Sequence, residues 1–159
     1  MKYLETGRTR SDAKRKWQVM VDDEDYEWLR QYEWQVDRHN SVKTHAPGMK
    51  GKLIHRLILN APEHLEVDHI DGNRLNNQRS NLRLATSSQN KMNRGPRKDN
   101  TSGYKGVSWH SQRLKWTARV KAGQKYIHLG LFDSKEAAAL AYNATARQLH
   151  GEYAWLNNI

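Results

Sequence analysis

The first half of the chain contains short apolar runs that predict strands more often than helices. Residues 16–21, KWQVMV, alternate apolar and polar positions with a period of two, which is typical of a strand. Three further strands are predicted at EWQVD, SVKTHA and KLIHRLIL, with turns between them. DDEDYEWLRQY begins with acidic side chains suited to a helix N-terminus, so this cluster is interpreted as a helix start rather than as metal ligands.

The middle of the chain predicts a strand, a loop, a second strand and a short helix. LEVDHI and NLRLAT are the two strands, and the loop between them is rich in Asn, Gly and Arg. Thr86 or Ser87 caps the helix. The helix carries three carboxamides, Gln89, Asn90 and Asn93. This order of elements brings the end of the first strand against one face of the helix.

The last third of the chain predicts three strands followed by a helix. In KWTARVK, basic and polar residues alternate with Trp, Ala and Val, so that a polar face lies opposite an apolar one. YIHLG repeats the alternation, and Gly123 marks the turn between these two strands. Ser134 and Gly151 suit the start and the end of the helix, whose alanines suit close packing on the apolar face of the sheet.

Together these patterns predict an α+β fold in two domains. The first spans residues 1–93, with mixed β-hairpins and a strand–strand–helix core at about 64–93. The second spans residues 104–159 and combines a three-stranded antiparallel sheet with one packed helix. Residues 94–103 are rich in Gly, Pro, Ser, Asn and basic side chains, which predicts a basic linker. Such a linker suits either an exposed hinge or a segment lying along a polyanion.

Composition narrows the class of protein. With 159 residues, 36% of them apolar, and a mean hydropathy of -1.02, the core must be thin, yet six Trp and seven Tyr indicate a chain that folds. The absence of Cys excludes disulfides and thiolate zinc sites. No apolar run approaches a membrane span, and the N-terminal sequence lacks a secretory signal. We therefore expect a cytoplasmic location, in the host cell if the gene is carried by a phage.

The net charge of +10 is the strongest global indication of a partner. The excess of Lys and Arg over Asp and Glu lies mostly beyond residue 50. This balance favours a polyanionic partner, although a general solubility charge would also produce it. No segment has the pattern of a basic amphipathic helix, so nucleic acid is favoured over a membrane surface.

Asp68, His69 and Asn90 form a candidate site for phosphodiester hydrolysis. A neutral imidazole is a suitable base near neutral pH. Carboxylate and amide oxygens favour Mg²⁺ or Mn²⁺ over softer metals. An ion of this kind clamps the scissile phosphate and stabilises the departing oxygen. Together, these residue types therefore supply what phosphodiester cleavage requires.

Other polar residues near this site have simpler interpretations. DGN is a strong turn signature, so Asp71, Gly72 and Asn73 are interpreted as shaping the loop rather than binding metal. Asn76 and Asn77 are interpreted as building the same loop. His55 is interpreted as packing within its predicted sheet, with a catalytic role as the alternative.

These residues resemble the HNH, or ββα-metal, endonucleases, particularly the small homing enzymes of phages and introns. The matching pieces are DH at 68–69, NL at 81–82, QN at 89–90 and LIHRLIL at 53–59. The resemblance covers about residues 15–93 and implies that His69 is the general base, with Asn81 tying the loop so that His69 points correctly. It also implies that Asp68 and Asn90 ligate one Mg²⁺ or Mn²⁺ ion per active site. Many members have His at the last position, and this departure argues against zinc or nickel.

The last third resembles the AP-two/ethylene-response-factor DNA-binding domain. The matching pieces are GYKGV, KWTARV, HLGLFDSKEAAALAYN and LHGEYAWLN, across residues 102–157. In that family the three-stranded sheet enters the major groove. The resemblance and the basic linker predict these DNA-binding residues: Arg94, Arg97, Lys98, Lys105, Ser108, His110, Arg113, Lys115, Arg119, Lys121, Tyr126 and His128. Several replace arginine or tryptophan of the plant proteins, so the plant target sequence does not transfer. Trp109 is interpreted as packing on the sheet.

The two resemblances together predict a metal-dependent endonuclease of double-stranded DNA, of the homing type. No small-molecule cofactor beyond the metal and no membrane partner are expected, and the enzyme would act as a monomer or as a dimer assembled on DNA. The alternative is a DNA-binding regulator with an inactive HNH scaffold. A toxin-type or RNA nuclease is disfavoured, because side chains cannot enter the major groove of A-form RNA.

Overall fold

The structure, a computed structural model, describes residues 1–6 and 16–159. The chain divides into two units, Met1–Ser87 and Ser88–Ile159. The predicted domain boundary, at residue 93, lies a few residues later. Residues 7–15 belong to the predicted first domain and to the N-terminal stretch considered for a secretory signal, and they lie outside the described residues. No helix among the residues described here has the length and apolar character needed to cross a membrane.

The described part of the first unit consists of three antiparallel hairpins and two short α-helices. In chain order its elements are β1 Lys2–Glu5, β2 Gln18–Val21, α1 Asp23–Leu29, β3 Trp34–Val36, β4 Val42–Thr44, α2 Ile54–Ile58, β5 Glu66–His69, a 3₁₀ turn Arg79–Asn81 and β6 Leu82–Ala85. β1 pairs with β2, β3 with β4, and β5 with β6. The strands predicted at KWQVMV, EWQVD, SVKTHA, LEVDHI and NLRLAT and the helix predicted after the first of them are therefore present.

The core of the first unit lies where these hairpins and helices meet. The period-two alternation of β2 buries Val19 and Val21 completely, while the residues between and beside them remain more exposed. Trp34 of β3 is also fully buried, and its indole Nε1 donates to the Leu29 carbonyl at 2.9 Å. This bond satisfies the polar atom of a large buried ring and fixes the end of α1 against the sheet.

The strand predicted at KLIHRLIL is wrong, because this segment forms α2. Ile54 and Ile58, one helical turn apart, are the buried residues of this helix, with Leu57 packed beside them. A short apolar run carries both helical and strand periodicity, so pattern alone does not separate the two. The helix is held to the following loop by Arg56, whose guanidinium donates to the carbonyls of Ala61 and Leu65.

The second unit begins within α3, Ser87–Met92, at the position where a short helix was predicted. Its further elements are β7 Val107–His110, β8 Lys115–Ala122, β9 Lys125–Phe132, α4 Lys135–His150 and a 3₁₀ turn Gly151–Tyr153. The three strands form one antiparallel sheet in the order β7, β8, β9. The predicted α+β class is confirmed, with hairpins followed by a three-stranded sheet and one long helix.

The helix α4 packs on the apolar face of this sheet through small side chains. Ala118, Ala138 and Ala139 are fully buried together, as the alanine-rich sequence predicts. Ser134 caps the helix by accepting from the Ala137 amide at 3.1 Å. Trp109 contacts Trp116 edge to face at 5.2 Å, and the register of β7 and β8 puts both on the helix side of the sheet. Trp109 is still 46% exposed, so its role in packing remains a prediction.

Candidate functional site

The end of β5 brings two predicted site residues into a buried position. β5 pairs with β6 so that Asp68 lies opposite Arg83 and His69 lies opposite Leu82. Asp68 is 4% exposed and His69 is 7% exposed. Burial of two adjacent polar residues of one strand shows that both faces of this hairpin are covered. Such residues must therefore find partners within the protein.

Asp68 is held by an ion pair with Arg83. One carboxylate oxygen, Oδ2, accepts from the Arg83 Nε at 2.9 Å and from Nη2 at 2.7 Å. The two side chains are only 5% and 11% exposed. This pairing fixes the carboxylate in the strand residue that precedes His69. Sequence reasoning missed Arg83, although cross-strand pairing of opposite charges is a signal that could have found it.

His69 lies between an amide and a second imidazole. Its Nε2 is 3.2 Å from Oδ1 of Asn77, and its ring meets the His55 ring edge to face with centroids 5.1 Å apart. Burial lowers the pKa of His69 below its usual value, and burial together with the His69 charge lowers the pKa of His55 to about 3. Both rings are therefore neutral near pH 7, as a proton acceptor must be.

Asn77 lies in the loop, as predicted, and makes a further contact that was not predicted. It was interpreted as a loop-building residue, yet it is fully buried and directly contacts His69. Nothing in the local pattern distinguishes it from its neighbour Asn76, because the contact depends on the path of the whole loop. His55 was interpreted as packing in a sheet, and the structure instead brings it from α2 to the side of His69.

Asn81 ties the loop between β5 and β6 to itself. Its Oδ1 accepts from the Asp71 amide at 3.0 Å, and its Nδ2 donates to the Asn76 carbonyl at 2.8 Å and to the Asp71 carboxylate at 2.9 Å. Asp71 also accepts from the Asn73 amide at 2.7 Å, which is the turn bond that the DGN sequence predicts. The side chain of Asn81 thus closes the loop directly after His69.

The acidic cluster of α1 anchors the 3₁₀ turn that precedes β6. Arg79 donates from Nε and Nη2 to the two oxygens of Asp25, both at 2.8 Å, and Asp25 is 1% exposed. The backbone amide of Arg79 donates to the Asp22 carboxylate at 2.8 Å. The hydrogen bonds to Asp25 raise the pKa of Arg79. These residues lie at a helix N-terminus, as predicted, and they also position the segment that carries Asn81.

The ligand set predicted for the metal is divided between the two units. Asp68 belongs to the first unit, whereas Asn90 lies on α3 and belongs to the second. Their coordination of a common ion remains a prediction. Among residues 1–6 and 16–159, no three His, Asp or Glu side chains form a metal-binding group. The available donors, a carboxylate and an amide oxygen, are the hard oxygens that Mg²⁺ prefers when phosphate supplies the rest.

The second unit presents a row of polar and basic side chains on the face of its sheet opposite α4. The strand register places these predicted residues on that one face: Ser108, His110, Lys115, Arg119, Lys121, Tyr126 and His128. Arg119 stacks over the ring of Tyr126 at 5.3 Å from its centroid. Thr117 contacts His128 at 3.2 Å across the strands, so it belongs to the same face. This face is mostly exposed.

The remaining predicted DNA-binding residues lie outside this row. Arg113 is exposed in the turn between β7 and β8. Lys105 is half-buried, its Nζ donates to the Met92 carbonyl at 2.5 Å, and burial lowers its pKa to about 8. Arg97 lies 3.4 Å from Asp99, and both side chains are largely exposed. Lys98 is exposed as well.

A basic cavity lies between the segment after α3 and the sheet of the second unit. Its volume is about 580 Å³, and none of the described residues that line it is Asp or Glu. Its cationic lining consists of Lys91, Arg94, Arg97, Lys105, Arg119 and Lys121. Cations from the predicted linker and from the sheet therefore converge on one recess, which is an electrostatic environment suited to an anion.

Comparisons with known proteins agree with the two units. Residues 52–92 match the family model of the HNH endonuclease, and residues 102–152 match that of the AP2 domain. Protein 3.8 of Escherichia phage T7 is 43% identical over 93 residues, which are 58% of this chain and 76% of that protein. The chain belongs to the HNH endonuclease family and carries an AP2 domain.

Other relatives match different parts of this HNH-family chain. An uncharacterized HNH endonuclease of Acanthamoeba polyphaga mimivirus is 40% identical over 110 residues, 68% of this chain and 56% of that protein. The AP2-like ethylene-responsive transcription factor ANT of Arabidopsis thaliana is 41% identical over 56 residues, 34% of this chain and 10% of the plant protein. The chain thus spans about half of the viral relative. No solved structure matches it significantly.

Proposed function

We propose that this HNH-family chain is a metal-dependent endonuclease that hydrolyses phosphodiester bonds in double-stranded DNA. The observation that carries the proposal is the buried His69, neutral and hydrogen-bonded to Asn77, on the strand that also holds the buried Asp68. A neutral imidazole held in position by a hydrogen bond is suited to act as the general base of hydrolysis. The HNH family match supports the same class of reaction.

The residues of the site divide the chemistry between them. Asp68 and Asn90 would hold the ion, which when bound polarises the phosphate and stabilises the departing 3′ oxygen. His69 takes a proton from a water as the water oxygen bonds to phosphorus and the bond to the 3′ oxygen breaks. The 3′ oxygen takes a proton from solvent, leaving a 3′ hydroxyl and a 5′ phosphate. Asn81 keeps the loop closed so that His69 holds its position.

The second unit would anchor the enzyme on duplex DNA. Its basic sheet face and its acid-free cavity gather cations that neutralise phosphates. If about 6–10 phosphates are neutralised, binding falls about 10³–10⁵-fold between 50 and 200 mM salt. We further propose that cleavage is site-directed, as in homing, by a monomer or by a dimer assembled on DNA. Comparing cleavage of a target DNA with and without the inserted element distinguishes site-directed cleavage from general nicking.

Relaxation of supercoiled plasmid tests the proposal. Wild-type protein is incubated with Mg²⁺, Mn²⁺ or a chelator, beside His69→Ala and the matched control His64→Ala, an exposed histidine in the turn before β5. Cutting should require the metal, fall about 10²–10⁴-fold in His69→Ala and persist in His64→Ala, while all three proteins bind DNA equally. Tight binding by fresh wild-type protein without cutting under any metal would instead establish the alternative, a regulator with an inactive scaffold.

A further inference from the structure

Asn77 is fixed in the loop after β5 more firmly than a surface asparagine. It is 0% exposed, and its backbone amide donates to the Met20 carbonyl at 2.8 Å. The Met20 amide in turn donates to the Leu75 carbonyl at 2.8 Å. These two bonds attach the loop to β2, which is a strand of the core. The backbone of Asn77 is therefore held by the core of the first unit.

The direction of the Asn77 amide follows from its second hydrogen bond. Its Nδ2 donates to the Arg74 carbonyl at 3.1 Å. A carbonyl oxygen only accepts, so the nitrogen end of the amide must face Arg74. The oxygen end, Oδ1, therefore faces His69, at 3.2 Å from Nε2. Because an amide oxygen also only accepts, Nε2 of His69 must carry the hydrogen of this bond.

This bond has a consequence for the other ring nitrogen. A neutral imidazole carries one hydrogen, so placing it on Nε2 leaves the lone pair on Nδ1. We propose that Asn77 is a positioning residue that holds the His69 ring, through this bond, in the Nε2–H tautomer. The inference rests on the proposed hydrolysis for its catalytic meaning. The tautomer itself is a property of the folded chain.

Nitrogen NMR of the full chain tests the tautomer directly. Protein labelled with ¹⁵N-histidine is recorded at about pH 8, where neutral imidazole dominates, and His69→Gln assigns the His69 signals. Multiple-bond correlations distinguish Nε2–H from Nδ1–H. Wild-type His69 should show the Nε2–H pattern. An Nδ1–H pattern in the wild type overturns the proposal, and this result needs no variant to fold.

Variants at two adjacent asparagines separate positioning from loop structure. Asn77→Leu keeps the side-chain size but removes the acceptor, and it should convert His69 to a mixture of tautomers. Asn77→Asp keeps an acceptor and should retain the Nε2–H signal. Asn76→Ala is the matched control, because Asn76 contacts Asp71 through its side chain and lies in the same loop. It should leave the pattern unchanged. If folded Asn77→Leu protein shows the same Nε2–H pattern for His69 as the wild type, the proposal is overturned.

Cleavage kinetics then connect the tautomer with the reaction. Asn77→Leu should lower kcat by about 10–100-fold, the usual loss for a residue that orients another, with KM unchanged. Asn77→Asp should recover part of the rate. The spectrum is readable whether or not the protein cuts DNA. If wild-type protein shows the Nε2–H pattern but does not cut DNA, only the proposed function is refuted. If it cuts DNA but shows the Nδ1–H pattern, only this inference is refuted.

Discussion

The β5–β6 hairpin of the first unit and the β7–β9 sheet of the second place their polar side chains by different means. In the hairpin, polar groups are fixed by bonds from distant segments: the Arg79 side chain bonds to Asp25 of α1, and the Asn77 backbone amide bonds to the backbone of β2. In the sheet, the backbone ladder alone decides which side chains face solvent, and most of the basic row is exposed.

This difference predicts how each region responds to substitution. When a buried polar group loses its partner, its full desolvation cost destabilises the fold. Single substitutions in the hairpin should therefore have large effects on stability and activity. An exposed cation on a sheet is one of several that contribute to DNA binding, so a single substitution there should have a small effect.

The largest effect is expected from Asn81→Ala. This change removes the bonds to the Asp71 amide and the Asn76 carbonyl, so the loop no longer holds His69 in place. We expect plasmid cleavage to fall about 10²–10⁴-fold, the range for losing a positioned base, with DNA affinity unchanged. Ser80→Ala, at an exposed neighbour, is the control. Equal activity of the two variants would refute the role of the loop closure.

A second comparison sets a buried ion pair against an exposed one. Arg83→Leu removes the guanidinium that pairs with the 5% exposed Asp68 side chain and should cost about 3–5 kcal/mol of unfolding free energy. Lys115→Ala breaks the 2.6 Å pair with Asp133, whose side chain is 89% exposed, and should cost about 0.2–1 kcal/mol. Urea unfolding followed by amide signals from each unit measures both.

The double variant Asp68→Asn with Arg83→Leu provides the control for this comparison. Removing the buried charge should recover much of the stability lost in Arg83→Leu. No recovery would mean that the loss comes from packing rather than from the loss of the Arg83 charge beside the carboxylate. A loss for Lys115→Ala as large as that for Arg83→Leu would remove the contrast between the two regions.

The third prediction concerns pH and His55. Its folded pKa, about 3, lies below the usual 6.5, so the unfolded chain takes up the proton first as pH falls. The unfolding free energy of the first unit should therefore fall from pH 6.5 towards pH 3, by less than about 1.4 kcal/mol per pH unit from this group. His55→Phe should flatten the curve, measured by urea titration and the Trp34 amide signal. Parallel curves for the two proteins would contradict the lowered pKa.

The sequence predicted the second unit more completely than the site, and the reason is physical. The alternation of β8 and the Ser134 cap of α4 are local features, so they are visible in a few consecutive residues. The spacing of Asp68, His69 and Asn81 also predicted a strand end followed by a closed loop. Their catalytic roles and the ligand role of Asn90 remain predictions.

The features that the sequence missed depend on contacts between distant segments. Asn77 reaches His69 only because its loop is bonded to β2, and Arg83 reaches Asp68 only through the strand register. α2 was mistaken for a strand because five residues are too few for periodicity to separate helix from strand. Tertiary contacts of this kind leave no local pattern to read.

The smallest effect is expected where a cation is removed from the sheet face. Arg119→Gln should weaken binding to duplex DNA and reduce the slope of log affinity against log salt by about 0.9, because one phosphate contact is lost. Arg147→Gln removes the same charge from the exposed surface of α4, on the other side of the sheet, and should leave the slope nearly unchanged. Because net charge changes equally in both, only the position of the cation distinguishes them. Equal slopes for the two variants would show that binding depends on total charge, and they would contradict the assignment of the sheet face as the DNA surface.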